Sequence, residues 1–275
     1  MNAVLVNLDD YVRSGEGFNG ASYFHRTDPD IMIKLYNPSA EIRSVISEQE
    51  LSHKVYAMGI AVPKPGEFIT DGQGRYGIRF QRLRDKVSFS RAVSNEPGRV
   101  EELARRFAAM CLKLHSTDIS GAGFDSIKER NLKDLEQSPF FTDEEKKRTR
   151  QFILDAPDAT TAIHGDLQYS NGIMTPNGDF FIDLGDFACG HPYFDLGQVL
   201  LSCCYSPDDF IREAFHMEPS LAREFWRFFV MGYFGDDANQ KEIKELLTPY
   251  SGLMTLLIDR SSGYRNEVFH NLLPK

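Results

Sequence analysis

Residues 163–196 read IHGDLQYSNGIMTPNGDFFIDLGDFACGHPYFDL, and this stretch decides the fold. Asp166 and Asn171 fall within one short polar loop. An Asn-Gly pair at 177–178 then stands between two apolar runs, which predicts a hairpin turn. The strand that returns from this hairpin ends at Asp183. The pattern therefore brings a second carboxylate back towards the polar loop.

These side chains can bind a hard cation, and one of them can act as a base. Carboxylate and carboxamide oxygens are the ligands that Mg²⁺ prefers, and phosphate oxygens can complete its shell. One of the two carboxylates can stay off the metal and take a proton from an attacking hydroxyl. Each piece taken singly is common in turns and at exposed strand ends, so the interpretation rests on their order and spacing.

The order is similar to a kinase pattern, in which His-x-Asp is followed by Asn five positions after the Asp and later by Asp-x-Gly. Here HGD stands at 164–166, Asn171 follows, and DLG stands at 183–185. A Gly replaces the Arg of protein kinases, and GHPYFDL follows at 190–196. With these features the chain resembles the aminoglycoside phosphotransferase and choline kinase-like family of small-molecule kinases. The resemblance is strong over 163–197, weaker over 14–63 and absent from roughly the last 70 residues.

The resemblance implies an α+β, two-lobed protein-kinase-like fold. A small antiparallel-sheet lobe that binds nucleotide would span residues 1–80, and a hinge would span residues 81–86. A mostly helical lobe that carries catalysis and acceptor binding would span residues 87–275. The implied reaction is transfer of the γ-phosphoryl group of ATP to a hydroxyl of a small molecule, with Mg²⁺ as the metal.

The resemblance also implies roles for the residues of the central stretch. Asp166 would orient and deprotonate the acceptor hydroxyl. Asn171 and Asp183 would hold Mg²⁺. His164 and Asp195 would support the catalytic loop by hydrogen bonding, although Asp195 is also suited to be the N-cap of the apolar helix that follows.

Three glycines, Gly15, Gly17 and Gly20, lie in a turn rich in glycine and asparagine at 14–20. Glycine lets backbone approach a phosphate without a side chain in the way, so the turn is a candidate nucleotide-covering loop. An ordinary hairpin explains the same residues, and the spacing departs from the protein-kinase pattern.

Lys34 stands inside the apolar run at 31–36, and burying an unpaired ammonium is costly. In the kinase fold a glutamate of the next helix pairs with this lysine, which then orients phosphates. The family spacing favours Glu50, with Glu48 as the second candidate. The alternative is a lysine that extends to solvent from an edge strand.

The hinge residues Gln81 and Leu83 would receive adenine through their backbone groups, an assignment that depends on the resemblance alone. Two strands, over 67–70 and 76–80, are expected before them. Helices are expected from Pro97 to the region of His115, over 128–155, over 196–205 and through the aromatic-rich end of the chain. His115 is predicted to be a structural residue at a helix end.

Composition excludes several classes of protein. The 275 residues carry a net charge of −9 and contain no basic tract, which argues against a nucleic-acid partner. The sequence contains no run of 18 apolar residues, so no membrane span is predicted. The N-terminus lacks the features of a signal peptide. The four cysteines fit no zinc spacing and are predicted to be buried, reduced thiols of a cytoplasmic protein.

The acceptor stays open at this stage: an aminoglycoside, choline or ethanolamine, a sugar and an amino-acid alcohol all remain. Acidic residues concentrate late in the chain, and they indicate either solvated helix faces or an acidic groove for a cationic acceptor. Three other functions compete with the small-molecule kinase: an atypical protein kinase, an inactive nucleotide-binding module and a metal-dependent hydrolase. The short interval between Asp183 and Asp195 leaves no room for a peptide-docking segment. A hydrolase leaves Lys34 unexplained.

Overall fold

The computed structural model describes residues 3–17 and 20–275, with backbone only at residues 16 and 17. The chain forms two compact units, one of residues 1–87 with 173–185 and the other of residues 88–172 with 186–275. The sequence-based division placed 173–185 in the helical lobe, whereas this segment groups with the strands of the first unit. A backbone hydrogen bond from Phe181 N–H to the Ala61 carbonyl, 2.8 Å long, helps to hold it there.

The first unit is built on a six-stranded sheet in the order β1-β5-β6-β4-β3-β2. Its strands are β1 (Val4–Leu5), β2 (Tyr11–Gly17), β3 (Gly20–His25), β4 (Ile31–Tyr36), β5 (Pro65–Thr70) and β6 (Tyr76–Gln81). β1 runs parallel to β5, and the other neighbours are antiparallel. The predicted antiparallel small lobe is therefore present, with one parallel edge strand added.

Strand β4 shows why the sheet has two different faces. Side chains alternate along a strand, so Ile33 and Leu35 point to one face and Lys34 and Tyr36 to the other. Ile33 and Leu35 are buried in a cluster with Val6, Tyr11 and Ile69. Tyr36 instead packs with Val45 of helix α1 (Ile42–Ala57) and with Phe68 and Ile78. Lys34 therefore emerges on the face that α1 covers.

The second unit is mostly helical, as the sequence predicted. A short strand, β7 (Val87–Ser88), leads into it, and β8 (Ala162–Ile163) pairs antiparallel with β11 (Ala188–Cys189). Its helices are α2 (Phe89–Asn95), α3 (Val100–His115), α4 (Ile127–Gln137), α5 (Asp143–Asp155), α6 (Tyr193–Leu200), α7 (Asp208–Phe215), α8 (Pro219–Phe234), α9 (Gln240–Gly252), α10 (Thr255–Ser262) and α11 (Glu267–His270). A π-helical turn at Leu201–Tyr205 extends α6.

Between the polar loop and Asp183 the chain forms the predicted hairpin. Its strands are β9 (Gly172–Thr175) and β10 (Gly178–Phe181), so the connecting residues are 176 and 177. The turn is one residue earlier than predicted, because Gly178 (φ +132°) is already the first residue of the returning strand.

Helices α3 and α8 form the core that supports the polar loop. The ring of Phe107 on α3 lies 5.9 Å from Phe225 and 5.8 Å from Phe229 of α8, between ring centroids. A Cβ at Gly172 would lie 2.7 Å from the Phe107 ring and 2.8 Å from Phe89, so only glycine fits there. The aromatic core thus fixes the chain immediately after Asn171.

Two further expectations concern the chain as a whole. Cys111 and Cys203 are buried free thiols, as predicted, but Cys189 and Cys204 are only half-buried. Within the described residues, no helix is both long and apolar enough to span a membrane.

Candidate active site

The polar loop of the second unit is anchored by Asp195, whose side chain is completely buried. Its carboxylate accepts the backbone N–H of His164 (2.7 Å) and of Gly165 (2.9 Å). Gly165 has φ +80°, and a Cβ there would lie 1.7 Å from the carbonyl oxygen of Asp186. Asp195 and Gly165 together therefore set the path of the backbone that leads into Asp166.

Asp195 is not a helix cap. It lies inside the first turn of α6, and the N-cap position is Pro192. The N-cap interpretation of Asp195 is therefore wrong, whereas the support of the loop that the resemblance implied matches the observed hydrogen bonds.

His115 links Asp195 to the helical core. Its Nε2 lies 3.0 Å from Asp195 Oδ2, and its Nδ1 lies 2.8 Å from the hydroxyl of Tyr233. His115 is buried at the end of α3, as the prediction of a structural helix-end residue requires. The structure adds its partner, which lies 80 residues away in the chain.

Gln198 is a supporting residue that the sequence analysis missed. Its Nε2 donates to the Gly165 carbonyl (2.6 Å), and its Oε1 accepts the backbone N–H of Leu167. Gln198 follows Asp195 by three positions in α6 and so lies on the same helix face. A buried amide at that spacing was the signal that could have identified it.

Asp166 and Asn171 lie together within the loop. The Asn171 amide nitrogen donates to the Asp166 carbonyl (2.9 Å) and to Asp166 Oδ2 (3.2 Å). Asn171 is buried and Asp166 is half-buried. Because the amide nitrogen is engaged, the carboxamide oxygen is the atom of Asn171 that suits a metal.

In the first unit, Lys34 lies between two carboxylates. Its Nζ is 3.1 Å from Glu48 Oε1 and 2.6 Å from Asp183 Oδ1. Burial favours the neutral amine, but the charges of Asp183 and Glu48 outweigh it and raise the pKa of Lys34 above its ordinary value. The ammonium is therefore charged at any physiological pH.

The predicted pairing of Lys34 with Glu50 is wrong, because Glu48 is the partner and Glu50 is exposed. The buried face of α1 contains Val45, Gln49 and Ser52. Glu48 lies three residues after Val45 and four before Ser52, so the helical period places it on that face. Glu50 falls outside this repeat.

Asp183 combines exposure with an unusual backbone. Its side chain is 47% exposed, and its φ is +65°, in the left-handed region. Aspartate and asparagine tolerate that region better than other non-glycine residues. Such an outlier is a reason to suspect function.

The glycine turn is the end of the β2–β3 hairpin, in which Gly17 pairs with Gly20. A Cβ at Gly20 would lie 2.1 Å from the Leu35 carbonyl oxygen, so glycine is needed there for packing. Gly15 has no such neighbour within 4 Å. Phe18 and Asn19, at the tip of the predicted loop, lie outside the described residues.

The two hinge residues differ in their hydrogen bonding. The Gln81 N–H donates to the Lys64 carbonyl at 2.9 Å, so Gln81 cannot offer that donor to adenine. Leu83 is buried, and within residues 3–17 and 20–275 no hydrogen bond engages it. Its backbone can therefore receive a ligand.

The donor set suits Mg²⁺ that is shared with phosphates. Within the part of the chain that the structure describes, no three His, Cys, Asp or Glu side chains form a metal cluster. Mg²⁺ in nucleotide sites needs only one or two protein carboxylates, since phosphates and water fill the remaining positions. In the first unit the exposed Asp183 carboxylate, and in the second unit the Asn171 carboxamide oxygen, are donors of the kind that such a site uses.

Comparison with known proteins agrees with this arrangement. Residues 11–229 match the model of the phosphotransferase enzyme family, APH. No curated protein matches the chain. The resemblance found from the sequence is confirmed by the family match.

Solved structures share the fold at low identity. An aminoglycoside-3'-phosphotransferase of type VIII is 20% identical, with 87% of this chain and 93% of that chain covered and a TM-score of 0.56. A variant of the aminoglycoside phosphotransferase APH(4)-Ia, in a ternary complex with ADP and hygromycin B, is 10% identical over 92% and 88% of the chains, with a TM-score of 0.66. A choline/ethanolamine kinase family protein from Mesorhizobium loti is 16% identical over 95% and 86%, with a TM-score of 0.56. The predicted α+β kinase-like fold is therefore confirmed.

Proposed function

The chain belongs to the phosphotransferase enzyme family, and from this membership we propose that it moves the γ-phosphoryl group of ATP to a hydroxyl of a small molecule. In the reaction the acceptor oxygen bonds to the γ-phosphorus, the bond from that phosphorus to the β–γ bridging oxygen breaks, and ADP leaves. The observation that carries the proposal is the Lys34 ammonium, held at 3.1 Å from Glu48 and 2.6 Å from Asp183.

Lys34 acts on the nucleotide. A cation fixed by Glu48 can bind phosphate oxygens and stabilise the charge that develops on them during transfer. The backbone of the β2–β3 hairpin, with Gly15, Gly17 and Gly20, covers the phosphates and excludes water. Gln81, through its carbonyl, and Leu83, through its N–H, bind the adenine.

Asn171 and Asp183 would each offer Mg²⁺ an oxygen atom, and the bound metal would neutralise phosphate charge. The same assignment explains why Asp183 is exposed although its backbone is in a strained region. A carboxylate that binds a ligand must remain accessible to it.

Asp166 accepts the proton of the acceptor hydroxyl. The Asn171 amide holds this carboxylate at 3.2 Å, and the backbone path set by Asp195 and Gly165 fixes its position. Most of the rate gain then comes from positioning and from electrostatic stabilisation rather than from proton transfer alone.

One pair of measurements tests this proposal. Calorimetric titration should show that MgATP binds the wild-type protein and Asp166→Asn equally well. With an accepted alcohol, Asp166→Asn should lower kcat by about 10²–10⁴-fold, the scale of a lost general base. Asp209→Asn, at an exposed carboxylate paired with Arg212, is the matched control and should leave both quantities unchanged. Equal turnover by Asp166→Asn and wild type would remove Asp166 from the mechanism.

The acceptor classes left by the sequence are aminoglycosides, choline-like alcohols, sugars and amino-acid alcohols. The relative APH(4)-Ia binds hygromycin B together with ADP, which keeps an aminoglycoside among the candidate acceptors. An inactive nucleotide-binding module would bind MgATP without turning over any of these acceptors.

A further inference from the structure

Tyr36 is the last residue of β4, and it lies on the same face of the sheet as Lys34 because side chains alternate along a strand. Its backbone partner in β3 is Gly20, at the end of the glycine turn. Its side chain is 6% exposed and packs with Val45 of α1. Val45 precedes Glu48 by three positions, so the two lie on one face of that helix. Tyr36 is therefore placed beside the Lys34–Glu48 ion pair.

The ring of Tyr36 is in contact with the Lys34 ammonium. The Nζ atom lies 4.9 Å from the ring centroid, within the range in which an aromatic face attracts a cation. The Lys34 side chain is half-buried, so water competes little for this contact. The ring is thus a neighbour of the ammonium in addition to the carboxylates of Glu48 and Asp183.

The hydroxyl of Tyr36 is buried, and among residues 3–17 and 20–275 it has no hydrogen-bond partner. Burial raises the pKa of this hydroxyl above its ordinary value; the charge of Lys34 opposes the rise, and the charge of Glu48 adds to it. The group is therefore a protonated donor at physiological pH. A buried donor without an acceptor costs stability, so its presence calls for an explanation.

Glu48 is the acceptor that suits this donor. The Tyr36 oxygen is closed to solvent, so a nucleotide phosphate cannot reach it. Glu48 is close enough for its charge to raise the pKa of Tyr36, but its Oε1 is engaged by Lys34 at 3.1 Å. Its Oε2 lies 3.3 Å from the place where a Gly185 Cβ would be. The carboxylate and the hydroxyl are thus neighbours whose hydrogen bond is not made while Glu48 binds Lys34.

We propose that Tyr36 is a positioning residue of the phosphoryl transfer: its ring holds the Lys34 ammonium, and its hydroxyl donates to the Glu48 carboxylate once nucleotide phosphates bind that ammonium. The inference rests on the proposed function, in which Lys34 binds phosphate oxygens. The phosphates then compete with Glu48 for Lys34, and a carboxylate that shares its cation gains from a second donor. Tyr36 supplies this donor, so Glu48 keeps its place while Lys34 binds the nucleotide.

Tyr36→Phe tests the hydroxyl, since it keeps the ring and removes only the donor. Calorimetric titration should show that the variant binds MgATP with a Kd about 10-fold higher than that of the wild type, the scale of a hydrogen bond to a charged group. The midpoint of chemical denaturation without nucleotide should not fall, because the substitution removes a donor to which the described residues offer no acceptor. A tyrosine with a purely structural role would lose stability and affinity together.

Tyr36→Leu tests the ring, alone and in combination with Lys34→Met. Alone it should weaken MgATP binding more than Tyr36→Phe does, because the ammonium also loses the aromatic face. In the Lys34→Met background neither substitution of Tyr36 should raise the Kd by more than about 2-fold, since residues that act through one group are not additive. Tyr76→Phe is the matched control: Tyr76 stacks on Phe68 in the same cluster, and its loss of a hydroxyl should change neither the Kd nor the denaturation midpoint.

The outcomes distinguish the inference from the proposed function. If the wild type binds MgATP and Tyr36→Phe binds it equally well, the inference is wrong and the kinase assignment stands. The inference is equally wrong if Tyr36→Phe loses stability in parallel with affinity, or if the Tyr36 substitutions cost as much in the Lys34→Met background as in the wild type. Failure of the wild type to bind MgATP would instead overturn the proposed function, and the inference with it.

Discussion

Two aspartates of the central stretch, Asp183 in the first unit and Asp195 in the second, are placed in opposite environments. Asp183 is 47% exposed, stands at a left-handed backbone position and contacts the Lys34 ammonium. Asp195 is 0% exposed, lies within a helix and binds two backbone N–H groups and His115. Two aspartates of one stretch are therefore used differently: Asp183 stays accessible, as the proposed metal ligand must, and Asp195 holds the backbone that leads into Asp166.

The difference predicts how each carboxylate contributes. Removing the charge of an exposed group changes the unfolding free energy little, but it removes a binding partner from any ligand that the group contacts. Removing the charge of a buried, fully hydrogen-bonded group leaves its donors without acceptors and destabilises the fold.

Asp183→Asn should give the largest effect and should separate activity from stability. Asparagine tolerates the left-handed backbone, so the free energy of unfolding should change by less than about 1 kcal/mol. Phosphoryl transfer should fall by about 10³-fold, because the carboxylate proposed to hold Mg²⁺ is lost. Chemical denaturation and steady-state rates measure the two quantities. Normal Mg²⁺-dependent turnover in the variant would show that Asp183 is not a metal ligand.

Asp195→Asn should show the reverse pattern. The amide cannot accept as strongly from His164 and Gly165, and its own N–H groups face donors, so we expect a loss of about 3 kcal/mol in unfolding free energy. Turnover should fall with the stability, since the loop loses its anchor. Tyr233→Phe removes only the hydroxyl that contacts His115 on the side away from Asp195, so it should lower the unfolding free energy less than Asp195→Asn. A stable Asp195→Asn protein would contradict the anchoring role.

A double-mutant cycle between Lys34 and Glu48 tests the half-buried ion pair behind Asp183. Lys34→Met and Glu48→Gln should each lower kcat/KM, and their combination should be little worse than Lys34→Met, with a coupling of about 1–2 kcal/mol. Glu50→Gln, two residues away on the exposed side of α1, should be silent. Additive losses, or coupling to Glu50, would mean that the observed pairing does not operate in catalysis.

Glu145 is a half-buried carboxylate away from the site and should give a smaller effect than Asp195. Its carboxylate accepts from Arg265 at 2.7 and 2.8 Å, and this pairing lowers the pKa of Glu145 below its ordinary range. A lowered pKa stabilises the fold at neutral pH, and this stabilisation is lost as the pH falls below about 4.5. Glu145→Gln should therefore remove about 1–3 kcal/mol at pH 7 and flatten the acid side of the stability profile. An unchanged profile below pH 4.5 would show that the pair contributes nothing.

The sequence predicted the site unevenly. Asp166, Asn171 and Asp183 could be proposed from the sequence because their spacing is local and because a hairpin joins them. Glu48 was ranked second to Glu50 because the prediction followed the family spacing, whereas the helical period around Val45 and Ser52 places Glu48 on the buried face of α1. Gln198 and the His115–Asp195 contact were missed because their partners are 30 or more residues away in the chain.

Sequence patterns alone identified the family and the α+β fold and suggested the main reactive residues, because these depend on short-range patterns of residue type and period. Only tertiary packing shows which glutamate meets Lys34 and which aspartate is buried. Burial and charge pairing arise only when distant segments pack together. Residue types along the chain do not encode those distances, and so the contrast between Asp183 and Asp195 emerges only in the folded protein.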